Sequence, residues 1–447
     1  MVRYRRLGPG LLAALVGGAV PAAAQGLTLD ARSVAMGGVT IDRGGAIARY
    51  NPAYRSVPAR EITGRPKTTI PIPLGLIQVL QDSAAFDFDE SYWNPVRFVN
   101  YALSPAVRSF YYQIREPRTP TSDVEFTIGQ NELIIDLGEA RLLVPTERFG
   151  LADASRLFDM GFGMKGVRVG VTAWLHRDLG MQLDSAMTSF LRDAARAQNN
   201  QRYGIIGDGL VQGGFSPMVG YAGRVAGNTE RGLYLGGSLR YYVGVAYGQT
   251  RGTGGVTTGD TIFAGPNPVT PDLDAITEYS GTDRSFGTGW GGDLGVVWVS
   301  GPFEVGLGAT DIGVKLTWPE ARIEQAAWDT TTDEIVTTTL ASRAETETEI
   351  PIAWVANMAY QAGERTTLGA QVVNTSRGTR LGVGVEQRVG ILALRGGVVR
   401  DQLKKNQLSG GIGFRFGSVG LDVVITSYAG GITGERAIAL GSSISIY

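Results

Sequence analysis

The chain contains no cysteine and a single histidine among its 447 residues. Without thiols there is no disulfide framework, no zinc ribbon and no thiolate nucleophile. One histidine, His176, confines imidazole chemistry to one position. Charge is scarce as well: Asp, Glu, Lys and Arg make up 19% of residues, against roughly a quarter in soluble domains. Past the N-terminus there is no apolar run near the roughly 20 residues that a membrane helix needs. Glycine, at 64 residues, and a hydrophobic fraction of 43% take the place of these absent features. Such a chain fits a soluble all-β protein or a membrane barrel, and the strand pattern has to decide.

The first residues have the three parts of an export signal. Arg3, Arg5 and Arg6 are positive, Leu11–Val20 is apolar, and Ala22-Ala23-Ala24 supplies small residues for cleavage before Gln25. The apolar run is too short to cross about 30 Å of hydrocarbon as a helix. The expected division is a signal peptide at 1–24, an N-terminal segment at 25–60 and strands over 61–447. Removing the three Arg from a formal charge of −1 leaves −4, which is no basic footprint for nucleic acid.

Period-two alternation recurs along the rest of the chain. Leu408, Ile412, Phe414 and Phe416 share one face, with Ser409, Gly411, Gly413 and Arg415 on the other. Leu381, Val383 and Val385 alternate with Gly382, Gly384 and Glu386, and Trp354, Ala356, Met358 and Tyr360 with Asn357 and Gln361. The longest series is Leu233, Leu235, Leu239, Tyr241, Val243, Val245 and Tyr247. Alternation over about ten residues is the mark of a transmembrane β-strand.

The connections add a second pattern. Minimal turns at Lys165-Gly166, Ser300-Gly301, Gly363-Glu364, Val389-Gly390 and Gly417-Ser418 interleave with long segments at about 179–208, 250–285, 316–350, 400–406 and 427–435. Short periplasmic turns and long outer loops give a barrel this asymmetry, and a soluble sandwich has no reason to show it. The sequence therefore predicts an all-β fold, a transmembrane antiparallel barrel of 14 to 16 strands. The N-terminal strands are interrupted by Pro66, Pro71 and Pro73. Gln182–Gln198 has helical spacing, with Asp184 and Ser185 at its start as caps, and falls in an outer loop. Its apolar stripe either packs on neighbouring loops or helps to hold a greasy ligand. Trp318–Glu349 reads as an extended outer hairpin.

If the apolar faces meet lipid, then Arg168, His176, Arg224, Arg240, Glu304, Glu386, Arg388, Arg395, Arg415 and Asp422 face the lumen. Such charges either line a path or pair across strands to fill a plugged barrel. His176, beside Trp174, has no nearby Ser–Asp constellation for hydrolysis, so no catalytic role is expected. Gly252-Thr253-Gly254-Gly255 lacks the Lys and helix of a phosphate cradle and reads as outer loop. The acids of 330–349 show no spaced ligand loop. No metal and no cofactor are expected.

The N-terminal segment carries Ala31-Arg32-Ser33-Val34-Ala35-Met36-Gly37-Gly38, then Tyr50-Asn51-Pro52-Ala53. Small residues and paired glycines suit tight packing inside another structure, and Asn51-Pro52 is a turn signal. At these two stretches the sequence resembles the FadL-like superfamily of outer-membrane proteins, which includes fatty-acid and hydrocarbon transporters, PorV-type secretion barrels and TraF-like proteins. The resemblance implies a 14-stranded barrel with this segment folded inside as a hatch. Met36, Gly37, Gly38, Tyr50, Asn51, Pro52 and Ala53 would form the hatch and gate. Where the family continues with a small residue, Tyr54 stands here. Two functions are implied: passage of hydrophobic small molecules such as fatty acids or hydrocarbons across the outer membrane, or a PorV- or TraF-like secretion or conjugation-associated scaffold for a periplasmic or secretion partner. Outer-membrane lipid and the barrel-assembly machinery are expected partners in both. The last strand ends on an aromatic, Tyr447, but Ser443, Ser445 and Tyr447 lie opposite Ile438, Leu440, Ile444 and Ile446.

Overall fold

The computed structural model describes most of residues 30–59, short pieces between 66 and 136, and nearly all of 146–447, with breaks at 261–268, 281–285, 403–405 and 430–435. The expected signal peptide at 1–24 lies outside the described residues.

Among the described residues twenty-one strands form, nineteen of them in one sheet. Two short pieces, β1 (Thr68–Ile72) and β2 (Tyr111–Arg115), precede a separate hairpin of β3 (Glu125–Gly129) and β4 (Glu132–Asp136). Long strands follow: β5 (Phe149–Met164), β6 (Val167–Leu183), β7 (Arg202–Gly227) and β8 (Arg231–Thr258). Next come β9 (Val269–Ser280), β10 (Gly287–Ser300), β11 (Phe303–Trp318), β12 (Ala321–Asp329) and β13 (Glu334–Arg343). The C-terminal series is β14 (Thr346–Ile350), β15 (Ala353–Gln361), β16 (Thr366–Thr375), β17 (Gly378–Val389), β18 (Leu392–Arg400), β19 (Asn406–Phe416), β20 (Val419–Ala429) and β21 (Arg436–Ile446).

The wall runs antiparallel from β5 through β6, β7 and β8 to β10 and β11, then from β15 strand by strand to β21. β14 and β15 pair end to end with β11, and β1 and β2 end to end with β21. Counting each such pair once gives fourteen wall positions. β9, β12 and β13 extend the upper part of β8 beyond the wall. The segments read as long loops at 250–285 and 316–350 are thus largely strands, and Gly252–Gly255 is paired in β8 rather than loose. These residues had no apolar alternation because neither face of the projecting sheet meets lipid. Tyr279, at its base, donates to Glu324, and burial with that bond pushes its phenol up to about 12.

One face of the wall is apolar and exposed: Leu235, Leu239, Val245, Leu294, Leu307, Val383 and Ile412 are all more than 40% accessible. On β10 this face runs from Trp290 to Trp298, which at ~3.3 Å per residue spans roughly the height of a barrel's apolar band. Tyr241 packs on Trp290 at one border, and Phe303 on Tyr360 at the other. Such a surface has no stable place in water and belongs against hydrocarbon. Leu239→Arg should therefore destabilise the barrel by roughly 2–4 kcal/mol. Urea unfolding in lipid vesicles would measure this, and a cost near zero would remove Leu239 from the lipid face.

Bulges reset the alternation at several places, since one inserted residue moves all that follow to the other face. In β8 the register slips between Gly213 and Gly214 of the facing strand, so Val245 is 48% exposed but Tyr247 is 1% exposed. Tyr247 therefore leaves the outward series to which the sequence assigned it. In β5 the slip at Arg156/Phe158 turns Arg156 inward while Met160 and Phe162 face out. β11 slips twice against β10, at the two positive-φ residues Asp311 and Gly313.

Candidate functional site: the filled lumen

The inner faces of the wall surround the N-terminal segment. Its first half is a short helix, α1 (Ala31–Ala35), capped by Asp30, whose side chain accepts from the Arg32 and Ser33 donors. The helix ends in a Schellman turn: Gly38 N–H donates to Ser33 O and Gly37 N–H to Val34 O, with φ of +69° and +78° at the two glycines. A β-carbon would strain both positions. This Met36-Gly37-Gly38 turn lies flat on wall glycines. A methyl at Gly382, Gly384 or Gly397 would overlap the backbone of Met36 or Gly37.

The second half is the Tyr50-Asn51-Pro52-Ala53 turn, which rests on another bare patch. Asn51 is fully buried; its amide donates to the carbonyls of Val296 (3.2 Å) and Leu307 (3.1 Å), and its oxygen accepts from Ala53 N–H. Gly295 and Gly308, paired across β10 and β11, leave the space for it. Tyr54 fills the gap that a small residue would leave. Its hydroxyl accepts from the Asn357 amide, and its ring packs with Ile47, Ala53, Val57, Tyr234 and Val297.

Ion pairs tie this segment to the wall. Arg32 binds Glu386 through two bonds of 3.1 Å, and Glu386 also accepts from Arg388 (2.9 Å) and Arg395 (2.6 Å). Arg395 passes the chain on to Asp422 at 2.6 Å. Arg43 pairs with Glu304 and donates to Pro58 O. Charged, forked contacts of this kind are shorter and stronger than neutral ones, and Arg32, Glu386, Arg395 and Asp422 are at most 8% exposed.

Above the segment a second layer crosses the lumen from wall to wall. Asp293 accepts from Arg156 (2.6 and 3.0 Å), Arg240 (2.7 Å) and Ser238 (2.7 Å). The β11 bulge turns Asp311 inward, where it accepts from Arg156 (3.0 Å) and Tyr242 (2.6 Å) while its N–H reaches Asp293. Arg240 also donates to Thr172 and Ser216. Two cations and two anions are matched here, as burial requires.

On the loop side of this layer the filling turns apolar: Trp174, Tyr242, Tyr247, Val314, Leu316, Trp318, Ala321 and Ile350 form one cluster. Trp318 is fully buried against Tyr247 and lies over Gly244 and Gly287, where a methyl would meet its ring. Its N–H donates to Thr348, which donates to Gln212, which contacts His176. Between cluster and ion layer lies a cavity of about 10 Å³ lined by Arg156, Trp174, His176, Tyr242, Asp311 and Ile350, room for about one water. Outside it, α2 (Ser185–Arg192), capped by Asp184 but not by Ser185, packs Phe190 on Tyr203.

Of the lumen residues read from the sequence, the structure brings Glu386, Arg388, Arg395 and Asp422 into one network, Glu304 to Arg43, and Arg240 to Asp293. His176 stands apart on Gln212. Arg168, Arg224 and Arg415 share the inner parity but lie at the turn-side mouth, where Arg224 is exposed and Arg415 sits 4.0 Å over the Tyr447 ring. Tyr447 thus belongs to the mouth rather than to the lipid face. Sequence reasoning missed Arg32, Arg43, Arg156, Asp293 and Asp311. Asp293 alternates with the exposed Leu294 and was findable; Arg156 and Asp311 owe their direction to bulges.

No family model and no curated protein matches the sequence. Solved structures similar to it include the Pseudomonas putida toluene transporter TodX: 12% identity over 67% of this chain and 80% of that one, TM-score 0.34. A Pseudomonas aeruginosa FadL homologue is 12% identical over 63% and 78%, TM-score 0.33. A Rhodopseudomonas blastica porin mutant is 9% identical over 62% and 100%, TM-score 0.21. At such identities no residue role is carried across from them.

Proposed function

We propose that the protein is an outer-membrane barrel that admits small hydrophobic molecules from the loop side, with the inner segment as its gate. One observation carries the reading: an enclosed apolar, aromatic cluster lies at the loop-side end of the lumen, separated by the Asp293 ion layer from the inner segment. Barrel interiors are generally polar, so a packed cluster of Trp, Tyr, Leu and Ile there suits a greasy guest. Trp318 ends β11 at the root of the projecting β12–β13 hairpin, so movement of that hairpin would carry the indole out and leave an apolar chamber. The chamber has no exit toward the periplasm until the inner segment shifts.

Trp318→Ala should empty the chamber at a cost of about 3–5 kcal/mol. A dry apolar cavity of that kind takes up benzene-like probes, so benzene or naphthalene should raise the melting temperature of the variant more than that of the parent. Uptake tests the function itself. A strain lacking the protein should take up aromatic or long-chain aliphatic compounds more slowly, and the plasmid-borne gene should restore it. Unchanged uptake of every apolar compound tried would count against transport. It would favour the scaffold reading, in which a stable partner is captured and the lumen stays shut.

A further inference from the structure

The turn-side mouth carries a set of arginines that the transport reading does not use; one of them, Arg388, also pairs with Glu386 of the lumen network. Arg168 (β6), Arg224 (β7), Arg365 (beside β16), Arg388 (β17) and Arg415 (β19) each lie within a few residues of a short turn. Arg168, Arg224, Arg388 and Arg415 share the inner parity of their strands, and Arg365 lies in the turn just before β16. Arg168 is level with Gly220, Arg224 with the buried Tyr234, and Arg388 and Arg415 follow the buried Glu386 and Gly413 by two residues. Arg365 precedes the buried Thr367 by two residues, and its carbonyl accepts from Arg388 N–H, so these two stand side by side. Arg224 and Arg365 are exposed, and the other three half-buried.

Among the described residues, the acids on the same face near this end are Glu304, Glu386 and Asp422. Each is at most 3% exposed and already paired with arginine. Glu230 and Glu364 sit at turn tips. The accessible inner rim of the wall is therefore cationic, while the half-buried Asp30 of the inner segment is engaged in capping α1.

We propose that this mouth docks an acidic segment of a periplasmic polypeptide. The five arginines are spread over strands on both sides of the opening, so one small anion cannot bridge them, whereas several carboxylates along a chain can. Guanidinium forks match carboxylates in pairs and bind them with directed, charge-assisted bonds. Phospholipid headgroups contact the outer face of a barrel, and the four strand arginines are on the inner one. The inner segment and its ion pairs close the lumen above, so an anion held here is docked rather than passed on. The proposal is independent of what the barrel transports.

The test uses the full-length protein in phosphatidylcholine nanodiscs and fluorescein-labelled poly-L-glutamate, read by fluorescence anisotropy. The parent should bind, and binding should weaken steeply with salt. R224Q/R365Q/R415Q, which leaves every buried ion pair intact, should lose roughly tenfold or more in affinity, since a charged contact at a docking surface contributes on the order of 1 kcal/mol or more. R251Q, at the loop-side end of β8, should bind within about twofold of the parent, because an exposed charge at the far end is screened. The single variants R224Q and R365Q, both at exposed sites, provide a readout if the triple variant does not fold. Three results would overturn the proposal: no salt-sensitive binding by the parent, equal binding by the mouth variants, or displacement of the peptide by phosphatidylglycerol vesicles.

Discussion

Replacing Gly397 by valine should unseat the inner segment and turn a closed barrel into a conducting one. A β-carbon at Gly397 would fall on the backbone of Met36 and Gly37, atoms that cannot swing aside as a side-chain tip can. The wall cannot retreat, because β18 is held by full ladders to β17 and β19. The helix-turn half of the segment must lift instead, and with it Arg32 from Glu386. Overpacking of this kind costs about 1–3 kcal/mol, and each 1.4 kcal/mol shifts a two-state ratio about tenfold. A roughly 10- to 100-fold rise in open events is therefore expected in planar-bilayer recordings, together with faster proteolysis between residues 31 and 57. The adjacent Gly396 supplies the control. It has nothing within 4 Å of an added β-carbon, so Gly396→Val should conduct like the parent. If both variants behave alike, the glycine patch is not the seat of the segment.

Removing the Asp293 carboxylate should be one of the two most destabilising single changes in the wall, with the loss of Trp318. Asp293 takes bonds from Arg156, Arg240 and Ser238 at 1–8% exposure. Asp293→Ala leaves two buried guanidinium groups facing one remaining acid, Asp311. Breaking a buried pair by deleting one partner costs about 3–5 kcal/mol, because the other charge is left without compensation. Urea unfolding of the variant in vesicles should show that loss. The exposed pair Lys315–Glu349, at 3.3 Å and 64–65% exposure, provides the contrast: Lys315→Ala should cost about 1 kcal/mol or less. Equal losses for the two variants would mean that the Asp293 layer is solvated and does not seal the lumen.

The alternation of Leu381, Val383 and Val385 with Gly382, Gly384 and Glu386 by itself determined that this stretch is a wall strand and which face meets lipid. A side-chain period of two is a property of the extended chain, so it needs no knowledge of neighbours. The same holds for the minimal turns, and for the packing potential of Met36-Gly37-Gly38 and Tyr50-Asn51-Pro52-Ala53, whose glycines and capping asparagine are local signals. Only the tertiary structure decided where alternation changes phase. The bulges at Val245, Arg156 and Asp311 arise because two paired strands differ in length at that level, and nothing along one strand records its partner's length. Only the tertiary structure, too, gave Gly384 and Gly397 their purpose. Two glycines in different strands form a single seat once the wall pairs them beside the segment they hold, and the empty space they leave has no signature in either strand alone.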